Sequence, residues 1–164
     1  MYAIWRAGVL GVVVTLGVVL GAGIVRVSAQ ASDPRIGTWK LNVEKSKYSP
    51  GPAPQSVMLI IEASGEGEKV TAEGANTAGT PTTTQYTANF DGKDYPMTGS
   101  QNIDTVSLKR IDARTTERTD KKGDTVVRTL TRVVSQDGKT MTVTEKGTNA
   151  QGQAMDNVAV FEKQ

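Results

Sequence analysis

The sequence contains no cysteine and no histidine among its 164 residues. Without cysteine there is no disulfide, no thiolate metal site, no thiol nucleophile and no lipid-modified cysteine. Without histidine there is no imidazole base, no haem ligand and no histidine-bound zinc. The familiar catalytic triads and the common metal sites are therefore excluded, and we expect neither a cofactor nor a metal ion.

Paired acidic residues are the remaining candidates for catalysis, and they lie where turns are predicted. Asp91 and Asp94 form one such pair, and Asp120 and Asp124 form another. Asp is common in turns because its side chain accepts hydrogen bonds from nearby backbone amides. No spacing favours an acid–base pair or a calcium-binding loop, so we expect that the protein is not an enzyme.

Long apolar runs are also absent, except at the N terminus. Residues 1–30 hold 20 hydrophobic residues, two arginines and no acid. A short segment ending at Arg6, the apolar run over residues 7–25 and the pattern Ala29-Gln30-Ala31 predict a secretory signal helix over residues 1–31, cleaved after its last residue. The run is nearly long enough to cross a bilayer, so an uncleaved anchor is the alternative.

The chain that follows, residues 32–164, is expected to form one domain outside the cytoplasmic membrane. Export without cysteine is typical of a bacterial periplasmic or secreted protein, and the alternative is a domain anchored by the N-terminal helix. Beyond residue 30, 17 basic residues balance 17 acidic ones, so the net charge of +2 belongs to the leader. We therefore expect that this domain binds no nucleic acid. We also expect that it is a monomer and that it meets a membrane only through an uncleaved leader.

The exported part reads as an all-β chain. Twenty of its residues are threonine, which favours strands, and no window has a sustained helical apolar pattern. Turn signals recur along it and predict ten strands, at 37–43, 56–63, 68–74, 82–90, 93–99, 104–111, 114–120, 124–135, 139–146 and 154–162. Short connections make neighbouring strands antiparallel, and closure of this meander into a barrel removes exposed edges.

Three two-residue turns predict which side chains share a face, since a slip of one residue turns every side chain over. The turn Asp91-Gly92 pairs Tyr86 with Met97 and Ala88 with Tyr95. The turn Asp137-Gly138 pairs Arg132 with Val143 and Leu130 with Glu145. The turn Lys122-Gly123 pairs Glu117 with Arg128. In each hairpin one face collects the large apolar residues. We predict that this face points into the barrel.

Four charged residues share the predicted inward face: Glu117, Arg128, Arg132 and Glu145. One hypothesis is a hydrated cavity whose arginines hold an acidic or amphiphilic ligand, because a guanidinium offers paired donors that suit a carboxylate. The alternatives are neutralisation inside the barrel, with Glu117 facing Arg128 and Glu145 diagonal to Arg132, or solvation at an open end. Burial without pairing or water would cost several kcal/mol per ion, so each arginine needs one of these.

The first strand carries a family resemblance. Gly37-Thr38-Trp39-Lys40-Leu41-Asn42 resembles the G-x-W opening of the calycins, the lipocalins and fatty-acid-binding proteins, which implies a β-barrel with Trp39 as a plug at its closed end. Asp137-Gly138-Lys139 and the closing Phe161-Glu162-Lys163 are similar to the end of fatty-acid-binding proteins. Two departures stand out. Residues 43–55 contain three prolines in place of that family's two helices, and its Arg-x-Tyr carboxylate clamp falls at Ala159-x-Phe161.

These observations predict an exported calycin-like barrel that binds a small hydrophobic or amphiphilic molecule in its lumen. The candidate lining residues are Tyr86, Phe90, Tyr95, Met97, Glu117, Arg128, Leu130, Arg132 and Glu145. The alternative is a ligand-free structural or protein-interaction module of the bacterial envelope. The free volume of the interior discriminates between the two, because a lumen filled by its own side chains favours the second.

Overall fold

The computed structural model describes residues 33–149 and 151–164, which form ten β-strands. The strands are β1 (Gly37–Lys47), β2 (Ser56–Ser64), β3 (Gly67–Ala75), β4 (Pro81–Asn89), β5 (Asp91–Thr98), β6 (Thr105–Arg110), β7 (Thr115–Lys122), β8 (Thr125–Val134), β9 (Thr140–Thr148) and β10 (Ala154–Lys163). Each of the ten predicted strands is present. The predicted signal helix over residues 1–31 lies outside the described residues.

The strands close into one antiparallel barrel. Each strand pairs with its neighbours in the sequence, and β1 closes the ring by pairing with β10 through Trp39 and Lys163. The all-β class and the ten-strand meander predicted from the sequence are confirmed, and the closed barrel is consistent with a calycin-like architecture. No helix within residues 33–149 or 151–164 combines the length and apolarity needed to cross a membrane.

One end of the barrel is closed by the segment that precedes β1. The Trp39 side chain is fully buried, and its indole Nε1 donates a hydrogen bond of 2.8 Å to the carbonyl oxygen of Arg35. The ammonium of Lys163 lies 5.0 Å from the centre of the Trp39 ring. These contacts place Trp39 as a plug at the end where β1 begins, so the other end, which carries the loop between β1 and β2, is the mouth.

Two of the three predicted registers are correct. Tyr86 pairs with Met97 between β4 and β5, in the register predicted from Asp91-Gly92, although those two residues belong to β5 and the predicted pair of Ala88 with Tyr95 is not part of the ladder. The turn at Asp137-Gly138 likewise gives the predicted pairs of Arg132 with Val143 and of Leu130 with Glu145. On β8 and β9 the predicted face is therefore the one that points inward.

The third predicted register, at Lys122-Gly123, is wrong. Lys122 pairs with Thr125, so the two turn residues are Gly123 and Asp124. Asp120 then pairs with Arg128 and Lys121 with Val126, which leaves Val127 as the extra residue of a β-bulge. Because of this extra residue, β7 residues that would face the lumen in a regular ladder face outward beyond the bulge, and the reverse.

The bulge turns Glu117 to the outer face of the barrel. Glu117 pairs with the exposed Thr131, not with Arg128. The inward residues of β7 are Thr116, Arg118 and Asp120, and the first and last of these are fully buried. The prediction that Glu117 neutralises Arg128 inside the barrel was wrong because an insertion of one residue exchanges the two faces of a strand.

Candidate ligand cavity

A cavity of about 390 Å³ occupies the part of the barrel between the mouth and the core. Its apolar wall consists of Val57, Leu59, Val70, Ala72, Met97, Leu130, Val143, Met155, Ala159 and Phe161. Its polar groups are Tyr86, Arg118, Arg128, Arg132, Glu145 and Asn157, while Tyr48, Pro54, Glu73, Thr82 and Thr84 complete the lining. The lumen is therefore not filled by its own side chains.

Six of the nine predicted lining residues do line this cavity: Tyr86, Met97, Arg128, Leu130, Arg132 and Glu145. The others lie elsewhere. Phe90 is stacked near the closed end, with the guanidinium carbons of Arg35 and Arg110 each 4.6 Å from its ring centre. The Tyr95 hydroxyl donates a 3.0 Å hydrogen bond to Asp91. Glu117 lies on the outer face, for the reason given above.

The first of two ion-pair networks runs from the cavity to the closed end. Arg132 forms a hydrogen-bonded ion pair with Glu68, and the Tyr86 hydroxyl donates a 2.9 Å hydrogen bond to the same carboxylate. A second guanidinium, that of Arg35, lies 3.6 Å from the other oxygen of Glu68. Asp33 then joins Arg35 to the exposed Arg110, which lies 2.8 Å away. This network holds three guanidiniums and two carboxylates.

The second network lies nearer the mouth and is balanced. Arg118 and Arg128 lie on either side of the buried Asp120 carboxylate, at 2.8 Å and 2.5 Å respectively. Arg128 also pairs with Glu145 at 2.6 Å, and Asn157 donates a 3.2 Å hydrogen bond to the second oxygen of Glu145. Two guanidiniums here face two carboxylates.

Apart from the exposed Arg110, the two networks together hold four guanidiniums and four carboxylates, so the cationic character of the cavity comes from incomplete pairing at Arg132. Arg132 ends the first network at the cavity. Within residues 33–149 and 151–164 it has one carboxylate partner, which it shares with Arg35, and its buried Nε–H has no hydrogen-bond partner. Its side chain is 5% exposed. A buried guanidinium that is only partly paired favours an anionic group beside it. The cavity therefore combines an apolar wall with a cationic site.

The guanidiniums of Arg118 and Arg132 keep their charge. Burial alone would lower the pKa of Arg118, but Asp120 and Tyr86 raise it above its usual value. Burial would likewise lower the pKa of Arg132, and Tyr86 and Glu68 reverse that effect. At the mouth, burial together with the nearby Glu145 raises the pKa of Tyr48 to about 12. In neutral solution the arginines are cationic and Tyr48 is a neutral phenol.

Sequence reasoning missed Arg35, Glu68, Arg118 and Asp120. Glu68 could have been found, because it lies two residues before the buried Val70 on β3 and so shares its inward face. The bulge at Val127 hid Arg118 and Asp120. Arg35 precedes β1, so the inward–outward alternation of strand side chains could not predict its position.

No family model matches this chain, and no curated protein or solved structure matches it significantly. The fold and the geometry of the cavity therefore carry the functional argument.

Proposed function

We propose that this protein is exported, loses its leader after Ala31, and binds one small amphiphilic molecule with an acidic group inside its barrel. The observation that carries the proposal is the cavity of about 390 Å³ that is apolar on one side and holds a partly paired, buried guanidinium, that of Arg132, on the other. Ligand sites typically have volumes of about 300–1,000 Å³ and a few polar groups in a mainly apolar lining.

The proposed pose follows from this asymmetry. The apolar part of the ligand lies against β2, β3 and β10, where Leu59, Val70 and Phe161 line the cavity. The acidic group lies beside Arg132 and Arg118, which project from β8 and β7. A carboxylate there accepts a hydrogen bond from the Arg132 Nε–H, which has no partner among the described residues.

The proposal also fits the resemblance to calycins, whose barrels hold ligands in the lumen. The differences are local. Ala159 and Phe161 line the cavity where the fatty-acid-binding proteins carry their Arg-x-Tyr clamp, so this clamp is missing. Arg118 and Arg132 offer guanidiniums from other strands in its place. We propose no catalysis. The polar groups that line the cavity are three arginines, Glu145, two tyrosines, an asparagine, two threonines and the exposed Glu73, and Glu145 is already paired with Arg128.

The alternative is a ligand-free structural or interaction module of the envelope. Its support is the outer face, where Thr129 and Thr131 of β8 lie beside Thr142 and Thr144 of β9 and present hydroxyl groups to a partner. The open cavity favours ligand binding over this alternative, since a purely structural barrel gains stability by filling its interior.

One experiment tests binding directly. Residues 32–164 are purified from a bacterial host, and native and denaturing mass spectra are compared before and after solvent extraction. A co-purifying molecule, or a change in Trp39 fluorescence on addition of apolar dyes and lipids, supports the proposal. The absence of both a bound molecule and a fluorescence response to every member of the panel would contradict it.

A second experiment tests export. The full chain is expressed in a bacterium with an export pathway, and the intact mass of the extracytoplasmic product is measured. We expect a chain that begins at Ser32. A product that begins at Met1 in the membrane fraction supports the anchored alternative, and a full-length product in the cytoplasm contradicts export.

A further inference from the structure

A second cavity of about 370 Å³ lies at the mouth of the barrel. It is lined by Asn102, Ile103, Lys122, Val127, Arg128, Asn149 and Met155. Arg128 and Met155 also line the lumen cavity described above. Among the described residues these are the two side chains that the cavities share, so they form the wall between them.

The backbone fixes Arg128 in this wall. Next to the bulge, β8 lies so close to β9 that a Cβ on Gly147, the partner of Arg128 in the ladder, would lie 2.2 Å from the carbonyl oxygen of Val127. Real Cβ atoms do not approach backbone this closely, so only glycine fits at position 147. The bulge also places Val127 in the mouth cavity next to Arg128.

Two carboxylates fix the side chain. Asp120 binds Arg128 Nε at 2.5 Å from β7, and Glu145 binds its Nη1 at 2.6 Å from β9. Because these contacts come from the strands on both sides of β8, the guanidinium cannot swing out of the wall without breaking an ion pair. Met155 is flexible and unpaired, so Arg128 is the rigid part of the wall.

We infer that Arg128 is a size-selecting partition that confines a ligand to the lumen cavity and so sets the longest apolar chain that the protein accepts. This inference rests on the proposed function for its biological meaning. The mouth cavity has an apolar floor of Ile103, Val127 and Met155, so it can take more of a chain once the partition is removed. Arg128→Ala joins two cavities of similar volume, whereas Arg128→Met removes the charge but keeps most of the bulk.

We expect Arg128→Ala and Arg128→Met to fold, because the partners of Arg128 keep other contacts. Without Arg128, Asp120 keeps Arg118 as its partner, and Glu145 keeps the hydrogen bond from Asn157 and its access to solvent. Glu145 loses its arginine partner in these variants, whereas Asp120 keeps one. The double variant Arg128→Ala with Glu145→Gln therefore removes the unpaired Glu145 charge as well. Arg114→Ala, an exposed arginine in the turn between β6 and β7, is the matched control.

The first test uses straight-chain alcohols of increasing length, which are neutral and so do not report on charge, to displace the neutral dye Nile red. In the unaltered protein and in Arg128→Met, affinity is expected to rise with chain length and then level off. Arg128→Ala shifts this limit to longer chains, and each further buried methylene raises affinity by about fourfold. The same limit in all proteins contradicts the partition.

The second test does not depend on a natural ligand. Because the chain has no cysteine, Val127→Cys creates a single thiol in the mouth cavity, to which alkyl methanethiosulfonates of increasing length are attached. With Arg128→Ala, long tails enter the lumen and raise Tm by about 3 °C or more. When Arg128 is present, or is replaced by methionine, long tails do not enter the lumen and do not raise Tm.

The two tests separate two kinds of failure. If no alcohol displaces dye from any variant while tethered tails still distinguish alanine from methionine at position 128, the partition stands and the proposed binding function fails. If tethered tails stabilise the protein equally with Arg128 in place, the partition is wrong, whatever the alcohols show.

Discussion

Arg132 on β8 and Glu68 on β3 form an ion pair across the interior of the barrel, 64 residues apart in the chain. In the ring of ten strands β3 and β8 lie five strands apart by either route, so the pair joins opposite walls. The Tyr86 hydroxyl binds the same carboxylate from β4. This contact ties the lumen together where the cavity meets the core, and it leaves Arg132 facing the ligand space.

Glu68→Gln should destabilise the fold strongly. Arg132 and Arg35 would lose a shared carboxylate while remaining buried, and removal of one partner of a buried pair costs about 3–5 kcal/mol. Urea unfolding measures the change. Glu62→Gln, which breaks the surface pair with Lys69, is the control and should cost less than about 1 kcal/mol. Equal losses in the two variants would argue against a buried network.

Arg132→Met should weaken binding of acidic amphiphiles more than binding of neutral ones of the same length. A hydrogen bond to a charged group contributes about 1.5–3 kcal/mol, which corresponds to a loss of tenfold or more for acids. Arg128 also lines the cavity, but two carboxylates already bind it, so Arg128→Met should discriminate less. Dye-displacement titrations with acids and with alcohols of the same chain length measure the affinities of the Arg132→Met and Arg128→Met variants. Equal weakening of acids and alcohols by Arg132→Met would assign Arg132 a purely structural role.

Gly147→Ala should destabilise the barrel by about 1–3 kcal/mol, because the new methyl group meets backbone atoms of Val127 and Arg128 that cannot move independently of the bulge. Gly51→Ala is the matched control. The nearest atom to a Cβ at Gly51 is the Tyr48 carbonyl oxygen at 3.6 Å, an ordinary contact. Thermal unfolding of the two variants provides the comparison, and a Gly147 variant as stable as the Gly51 variant would show that the bulge can relax.

Tyr48 should make stability depend on pH in strongly alkaline solution. Its pKa in the folded protein is raised to about 12, against 10.0 for a free phenol, by burial and by the Glu145 carboxylate. Between these values the unfolded chain has lost a proton that the folded chain keeps, so the free energy of unfolding falls as pH rises. This contribution is complete below about pH 10, the unfolded pKa.

Rapid pH jumps with absorbance at the tyrosinate band measure this titration. Tyr48→Phe should remove a step near pH 12 and reduce the fall in stability. Glu145→Gln should move the step to lower pH, while burial still holds it above the ordinary value. A Tyr48 step at the pH of a free phenol would contradict the half-buried position at the mouth.

The hairpins show how far the sequence predicts the fold. Asp137-Gly138 sits between two strands of regular alternation, so the turn alone gives the observed pairs of β8 with β9. Lys122-Gly123 looks equally clear but fails, because the β7–β8 ladder contains a bulge at Val127, beside the position where Gly147 of β9 lets the backbones approach closely. Local turn chemistry predicts a register until contacts beyond the turn alter the ladder.

The cavity shows the same division between local and distant causes. Arg128, Arg132 and Glu145 were predicted to face inward from the pattern of their own strands, and all three line the cavity. Their partners could not be assigned in the same way. Arg132 binds Glu68 on the opposite wall, and Arg128 binds Asp120, whose face changes with the bulge. Which acid meets which arginine is decided by barrel closure, a tertiary event.

Barrel closure also bears on when the protein can fold. The ring is completed by β1 and β10, whose ladder joins Trp39 to Lys163 near the two ends of the described chain. A chain that lacks β10 leaves β1 with an unpaired edge and Trp39 without the Lys163 ammonium over its ring, so the barrel cannot close before β10 is present. Closure that needs both β1 and β10 suits the export proposed for this protein, because a channel for unfolded polypeptides accepts a chain whose barrel has not yet closed.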